Sequence, residues 1–124
     1  MELSVKPDGE GRYIIYCPSR MEWNERLDLV SRLQDAAADR PLSRVIIDLQ
    51  NVTYINSAGL GALFSLRKYA NDRGAKVAVA RPNATISRLL DTVNLGALVP
   101  VAGSLDEART VLDQTCADSD DAHG

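Results

Sequence analysis

Few residues of this 124-residue chain are equipped for bond-making chemistry. The single histidine, His123, stands in a polar C-terminal stretch, so no serine–histidine–aspartate or cysteine–histidine relay can be assembled. Cys17 and Cys116 are far apart, with no second cysteine or histidine at metal-ligand spacing, and read as reduced structural residues. Asp48 closes an apolar run, but one carboxylate without companions reads as a strand-end polar residue rather than a metal ligand. No phosphate-cradling G-x-x-x-x-G-K-[ST] loop is present, and Gly59-Leu60-Gly61 lacks the third glycine of a dinucleotide fingerprint. The chain is therefore expected to have no catalytic residues, no metal site and no cofactor, and not to be an enzyme.

What remains is the stretch Tyr54-Ile55-Asn56-Ser57-Ala58-Gly59-Leu60-Gly61. Here an apolar run typical of a strand gives way to helical spacing, placing Ser57 at a helix start. Unpaired backbone N–H groups and the positive end of the helix dipole gather there, so a phosphate on Ser57 would be tolerated. Gly59 and Gly61 each cost such a helix up to about 1 kcal/mol relative to alanine, which points to something approaching its backbone closely. The plainer alternative is that Ser57 is the helix N-cap and the glycines serve packing on a sheet.

The elements that hold this stretch follow from periodicity. Residues 2–6 and 12–17 read as strands of a hairpin around Asp8-Gly9-Glu10-Gly11. Pro18 breaks the second strand, and Ser19-Arg20-Met21-Glu22 reads as a capping box opening a helix over about 20–39. Its apolar stripe is Trp23, Leu27, Val30, Leu33 and Ala37, and Pro41 closes it. Arg44-Val45-Ile46-Ile47-Asp48-Leu49 is a β-branched central strand. A helix over about 57–72 follows, with Leu60, Leu63 and Leu66 on one face and Gly74 as its left-handed stop. Strand 76–80 leads to a third helix starting at 82–85, and Leu98-Val99-Pro100-Val101 reads as a short edge strand. A second capping box, Ser104-Leu105-Asp106-Glu107, opens a last helix through about 115.

The order β-β-α-β-α-β-α-β-α implies an α/β fold, a single layer of mostly parallel mixed sheet with four helices. One domain over 1–116 and a disordered acidic tail over 117–124 are expected. The apolar fraction of 45% and charged fraction of 25% are those of a globular chain. A net charge of −3 with scattered basic residues argues against nucleic-acid binding. No apolar run nears the roughly 20 residues that span a bilayer, and the N-terminus has no signal-peptide core, so a cytoplasmic protein away from membranes is expected.

The segment Val52-Thr53-Tyr54-Ile55-Asn56-Ser57-Ala58-Gly59-Leu60-Gly61-Ala62-Leu63 resembles the signature of the STAS family, the anti-sigma factor antagonists, in which Asp-Ser-[Ser/Thr]-Gly-Leu-Gly follows a strand. The resemblance extends over about 2–115. It takes in the strand Val45-Ile46-Ile47-Asp48-Leu49, the Gly74-Ala75-Lys76-Val77-Ala78-Val79-Ala80 strand, and Ile86-Ser87-Arg88-Leu89-Leu90-Asp91 followed by Leu95. It implies a bacterial regulator of transcription, monomeric or weakly dimeric, whose unphosphorylated form binds an anti-sigma factor serine kinase with a histidine-kinase-like ATPase fold. Phosphorylation by that kinase ends the binding and a phosphatase resets it. The matching acceptor is Ser57, with Asn56, Ala58, Gly59, Leu60 and Gly61 as the surrounding partner-binding residues. The family aspartate is here Asn56, the following Ser/Thr is Ala58, and the Gly-x-Leu-Asp stretch of many antagonists is replaced by Cys17 to Glu22. STAS-like domains also serve as non-switching adaptors of transporter ATPases or signalling scaffolds, and that reading stays open, as does small-molecule sensing at the helix start.

Overall fold

The computed structural model describes residues 3–22, 28–38 and 40–113. Strands β1 (Ser4–Pro7) and β2 (Arg12–Tyr16) form the expected antiparallel hairpin. The Asp8 N–H closes its turn on the Arg12 carbonyl at 2.8 Å. Gly9 and Gly11, at φ 89° and 75°, supply the left-handed backbone that this turn needs. Strands β4 (Arg44–Asp48) and β6 (Lys76–Ala80) then add in parallel. With the edge strand β7 (Val101–Ala102) the main sheet has the order β1-β2-β4-β6-β7. This is the mostly parallel mixed sheet read from the sequence.

Helices α1 (Leu29–Ala36), α2 (Ser57–Asp72) and α3 (Ala84–Thr92) share one hydrophobic cluster with Tyr13, Ile15, Val45, Ile47, Val77 and Val79. The alternate residues Ile14, Ile46, Ala78 and Ala80 form a second cluster with Ala108 and Leu112 of α4, which is helical over 105–113. A central strand covered on both faces must be apolar at consecutive positions, which is why β2 and β4 carry unbroken runs. Ser104 caps α4 by accepting the Glu107 N–H at 3.0 Å, as the capping-box spacing required.

Three local expectations are corrected. The helix opening at Ser19 is not formed there: Arg20–Met21 is a strand, β3, paired in parallel with β5 (Tyr54–Ile55) as a separate two-stranded sheet. Glu22 is bonded to Arg20 at 3.0 and 3.1 Å instead of turning back to a cap. The described helix begins at Leu29, where Asp28 caps it by accepting the Ser31 N–H at 3.0 Å. Burying Met21 completely against α2 outweighs the local capping preference. Second, α1 ends at Ala36, short of Pro41. Third, the last strand lies past Pro100, because Leu95–Ala97 forms a single 3-10 turn. Trp23, Leu27, Cys116 and the tail lie outside the described residues.

Candidate functional site

The site is built on the carboxyl ends of β4 and β6, where open α/β sheets meet their ligands and partners. β4 ends at Asp48, a buried carboxylate held by Arg81 through two charge-assisted hydrogen bonds of 3.1 and 2.6 Å. Asp48 also accepts the Gln50 N–H at 3.1 Å, starting the turn that leads away from the sheet. Arg81 adopts φ 58°, a left-handed conformation that is uncommon for a bulky side chain, and from it the guanidinium meets Asp48. The Asp48 carboxylate raises the pKa of Arg81 through these bonds. Burial pushes the neighbouring Cys17 thiol upward, with the Asp48 charge adding to it, so Cys17 is an inert core residue.

Asn83 joins the next helix to this loop: its amide donates to the Val52 carbonyl at 3.1 Å while its oxygen caps α3 on the Ile86 N–H at 2.8 Å. The chain then enters β5. Thr53 is anchored to the Ser19 carbonyl by its N–H at 2.8 Å and its hydroxyl at 3.1 Å. Asn56 extends the pairing by donating its N–H to the Met21 carbonyl at 3.2 Å.

At Asn56 the backbone is still extended (φ −98°, ψ −175°), and its side-chain oxygen accepts the Gly59 N–H at 2.9 Å. Asn56, not Ser57, is therefore the N-cap of α2. Asparagine and aspartate cap equally well, so this position keeps its structural task without the carboxylate charge. Ser57 becomes the first helical residue and is exposed. Its hydroxyl has no hydrogen-bond partner among the described residues, so it is free to be reached from solvent.

The two glycines divide. Gly59 is buried, and a Cβ there would lie 2.9 Å from the Met21 carbonyl carbon and 3.0 Å from Ile55 Cγ2. It exists so that α2 can press on β3 and β5. Gly61 is exposed, and a Cβ there would meet nothing within 4 Å. Leu60 is half-buried and packs on the core. Ala58 and Gly61 line, with Ala62, Ser65 and Asp28, Leu29 and Val30 of the α1 start, a groove of about 330 Å³ beside Ser57.

The sequence reading missed a cluster on β3 and β5. The Arg20 guanidinium stacks 4.4 Å from the ring centre of Tyr54, itself 40% exposed, while pairing with Glu22. Glu22 raises the Arg20 pKa through that hydrogen bond, and Arg20 lowers that of Glu22. A two-residue strand gives no alternation to detect, so only its partner strand reveals it. Among the described residues no three His, Cys, Asp or Glu side chains gather as a metal site, and no helix is long and apolar enough to cross a membrane.

Comparison with known proteins agrees with this geometry. Over 82 residues, 66% of this chain and 70% of the relative, the sequence is 28% identical to the anti-sigma F factor antagonist of Paenibacillus polymyxa. Among solved structures, an anti-sigma factor antagonist from Mycobacterium paratuberculosis superposes with a TM-score of 0.71 at 23% identity, covering 90% of this chain and 92% of that one. The anti-sigma factor antagonist SpoIIAA in its unphosphorylated form does so with a TM-score of 0.74 at 11% identity, covering 90% and 96%. Residues 13–108 match the STAS domain, and the chain belongs to that family of non-enzymatic regulatory modules.

Proposed function

We propose that this chain is an anti-sigma factor antagonist switched by phosphorylation of Ser57. The observation that carries the reading is the placement of Ser57: an exposed hydroxyl, without a hydrogen bond among the described residues, on the first residue of α2, one position beyond the cap. Unphosphorylated, the surface formed by Asn56, Ser57, Ala58, Leu60 and Gly61 binds an anti-sigma factor that is also a serine kinase, whereas Gly59, expected from the sequence to join it, is buried against Met21 and only holds the helix in place. Ser57 Oγ attacks the γ-phosphoryl group of ATP on that kinase; ADP leaves, and the hydroxyl proton passes to a base of the kinase. The product carries about two negative charges and extra bulk where the partner was packed, and the partner is released. A phosphatase restores the hydroxyl. The similarity to antagonists of known structure supports the fold on which this switch is built, and their name supplies the partner class.

Incubating the chain with a candidate anti-sigma kinase and ATP tests this by intact mass. One phosphoryl group per wild-type chain and none on Ser57→Ala is expected. Equal labelling of Ser57→Ala would sink the assignment.

A second reading has one specific observation in its favour. Asn56 keeps the cap of α2 while discarding the family carboxylate, as a constitutive adaptor could. Recovery of a transporter ATPase with the chain from native lysate, together with no labelling by any sigma-regulatory kinase, would favour the adaptor.

A further inference from the structure

The strand pair beside Ser57 carries a charge arrangement of its own. β3 and β5 pair in register, Arg20 with Tyr54 and Met21 with Ile55. Because Asn56 remains extended and bonds to the Met21 carbonyl, Glu22 comes level with Asn56, the residue preceding Ser57. Side chains two apart on a strand share a face, and Arg20 and Glu22 do so here, joined by two hydrogen bonds of 3.0 and 3.1 Å. The guanidinium thus lies on the ring of Tyr54, three residues before Ser57, and is bonded to Glu22, which is level with Asn56. Both partners are largely exposed, at 58% and 44%, so the pair is weak and easily exchanged.

We propose that Arg20 is the phosphate-reading residue of this surface: when Ser57 carries a phosphate, the Arg20 guanidinium leaves Glu22 and pairs with the phosphate oxygens. The inference rests on the phosphorylation reading and deepens it. A dianionic phosphate offers more charge and more acceptor oxygens than one carboxylate, and a planar guanidinium fits it in two-pronged fashion. Tyr54 acts as the pivot that keeps the guanidinium near both acceptors. The exchange frees the Glu22 carboxylate next to the phosphate, so modification turns a neutral ion pair into a locally anionic face. Partner release then has a second cause beyond the phosphate itself.

The test uses the full chain with phosphoserine incorporated at position 57 during translation, so that it does not depend on any kinase. The phosphate is titrated by phosphorus NMR in the wild type, Arg20→Gln, Arg20→Lys and, as a charge control at the opposite end of the sheet, Arg40→Gln. The second ionisation is expected at a pH about half a unit lower in the wild type than in Arg20→Gln, the size an exposed pair supports. Arg20→Lys should recover part of that shift, and Arg40→Gln should titrate as the wild type does. Glu22→Gln should lower the ionisation further, by more when Arg20 is present than when it is glutamine. Identical titrations of the wild type and Arg20→Gln would overturn the proposal. Failure of the switch itself reads out separately, as absence of labelling of the unmodified chain by kinase and ATP.

Discussion

Gly59 of α2 and Met21 of β3 touch backbone to backbone, and a Cβ on Gly59 would sit 2.9 Å from the Met21 carbonyl carbon. That contact holds α2 to the small sheet. Gly59→Ala is therefore expected to cost about 1–3 kcal/mol in thermal or denaturant unfolding, the usual result of overpacking. Gly61→Ala should do the reverse, stabilising the fold by up to about 1 kcal/mol, because its side chain meets only solvent. If the proposed anti-sigma partner approaches the backbone at Gly61, the same variant binds it more weakly while being more stable. Unchanged affinity would remove Gly61 from the interface.

Asn56 is the cap, and its variants separate structure from switching. Asn56→Ala should lose about 1 kcal/mol of stability as the Gly59 N–H loses its acceptor. Asn56→Asp should keep the bond and gain about 0.3–1 kcal/mol from a negative charge at the helix start. Labelling by the kinase is expected to be faster in Asn56→Asp than in the wild type, restoring the family carboxylate. Equal rates would show that the carboxylate is not needed.

The Asp48–Arg81 pair is asymmetric, with side-chain exposures of 2% and 28%. Arg81→Gln strands a buried carboxylate and should cost about 3 kcal/mol or more. Asp48→Asn leaves an arginine that can turn to water and should cost less, about 1.5–3 kcal/mol. Denaturant unfolding of both checks the order, and the opposite order would refute the asymmetry.

Asp8 ties the hairpin turn to α4. The hydrogen bond from Arg109 leads the causes that hold its pKa below the ordinary 3.8, with Arg12 adding to it. A carboxylate whose folded pKa is depressed contributes stability above its unfolded pKa and loses it as pH falls through the folded value. Asp8→Asn should thus be less stable than the wild type by about 1 kcal/mol near neutral pH. The gap should close at pH values below the carboxylate range, which paired unfolding curves at several pH values would show.

Most of the fold was legible because its long elements announce themselves. The helix Ser57–Asp72 and the strand Lys76–Ala80 fall where periodicity put them, since each has enough residues for its period to show. The short elements were not legible. Ser19 to Glu22 satisfies the local rule for a helix start, yet Arg20–Met21 within it forms a strand because a distant segment, Tyr54–Ile55, offers paired backbone and a buried seat for Met21.

At the site the same division holds. The residue types alone argued against a catalytic relay and singled out the strand-to-helix change at Ser57. Spacing could not tell which of two adjacent polar residues caps the helix, because serine and asparagine have nearly equal preference there; the extended backbone of Asn56 decides it. Nor could it tell the two glycines apart. Gly59 is required by a carbonyl 38 residues earlier in the chain and Gly61 by nothing within the fold. Local pattern determines what a segment can form, whereas which side chains meet across the join of α2 and β3 depends on contacts between segments far apart in sequence, and only the assembled sheet brings them together.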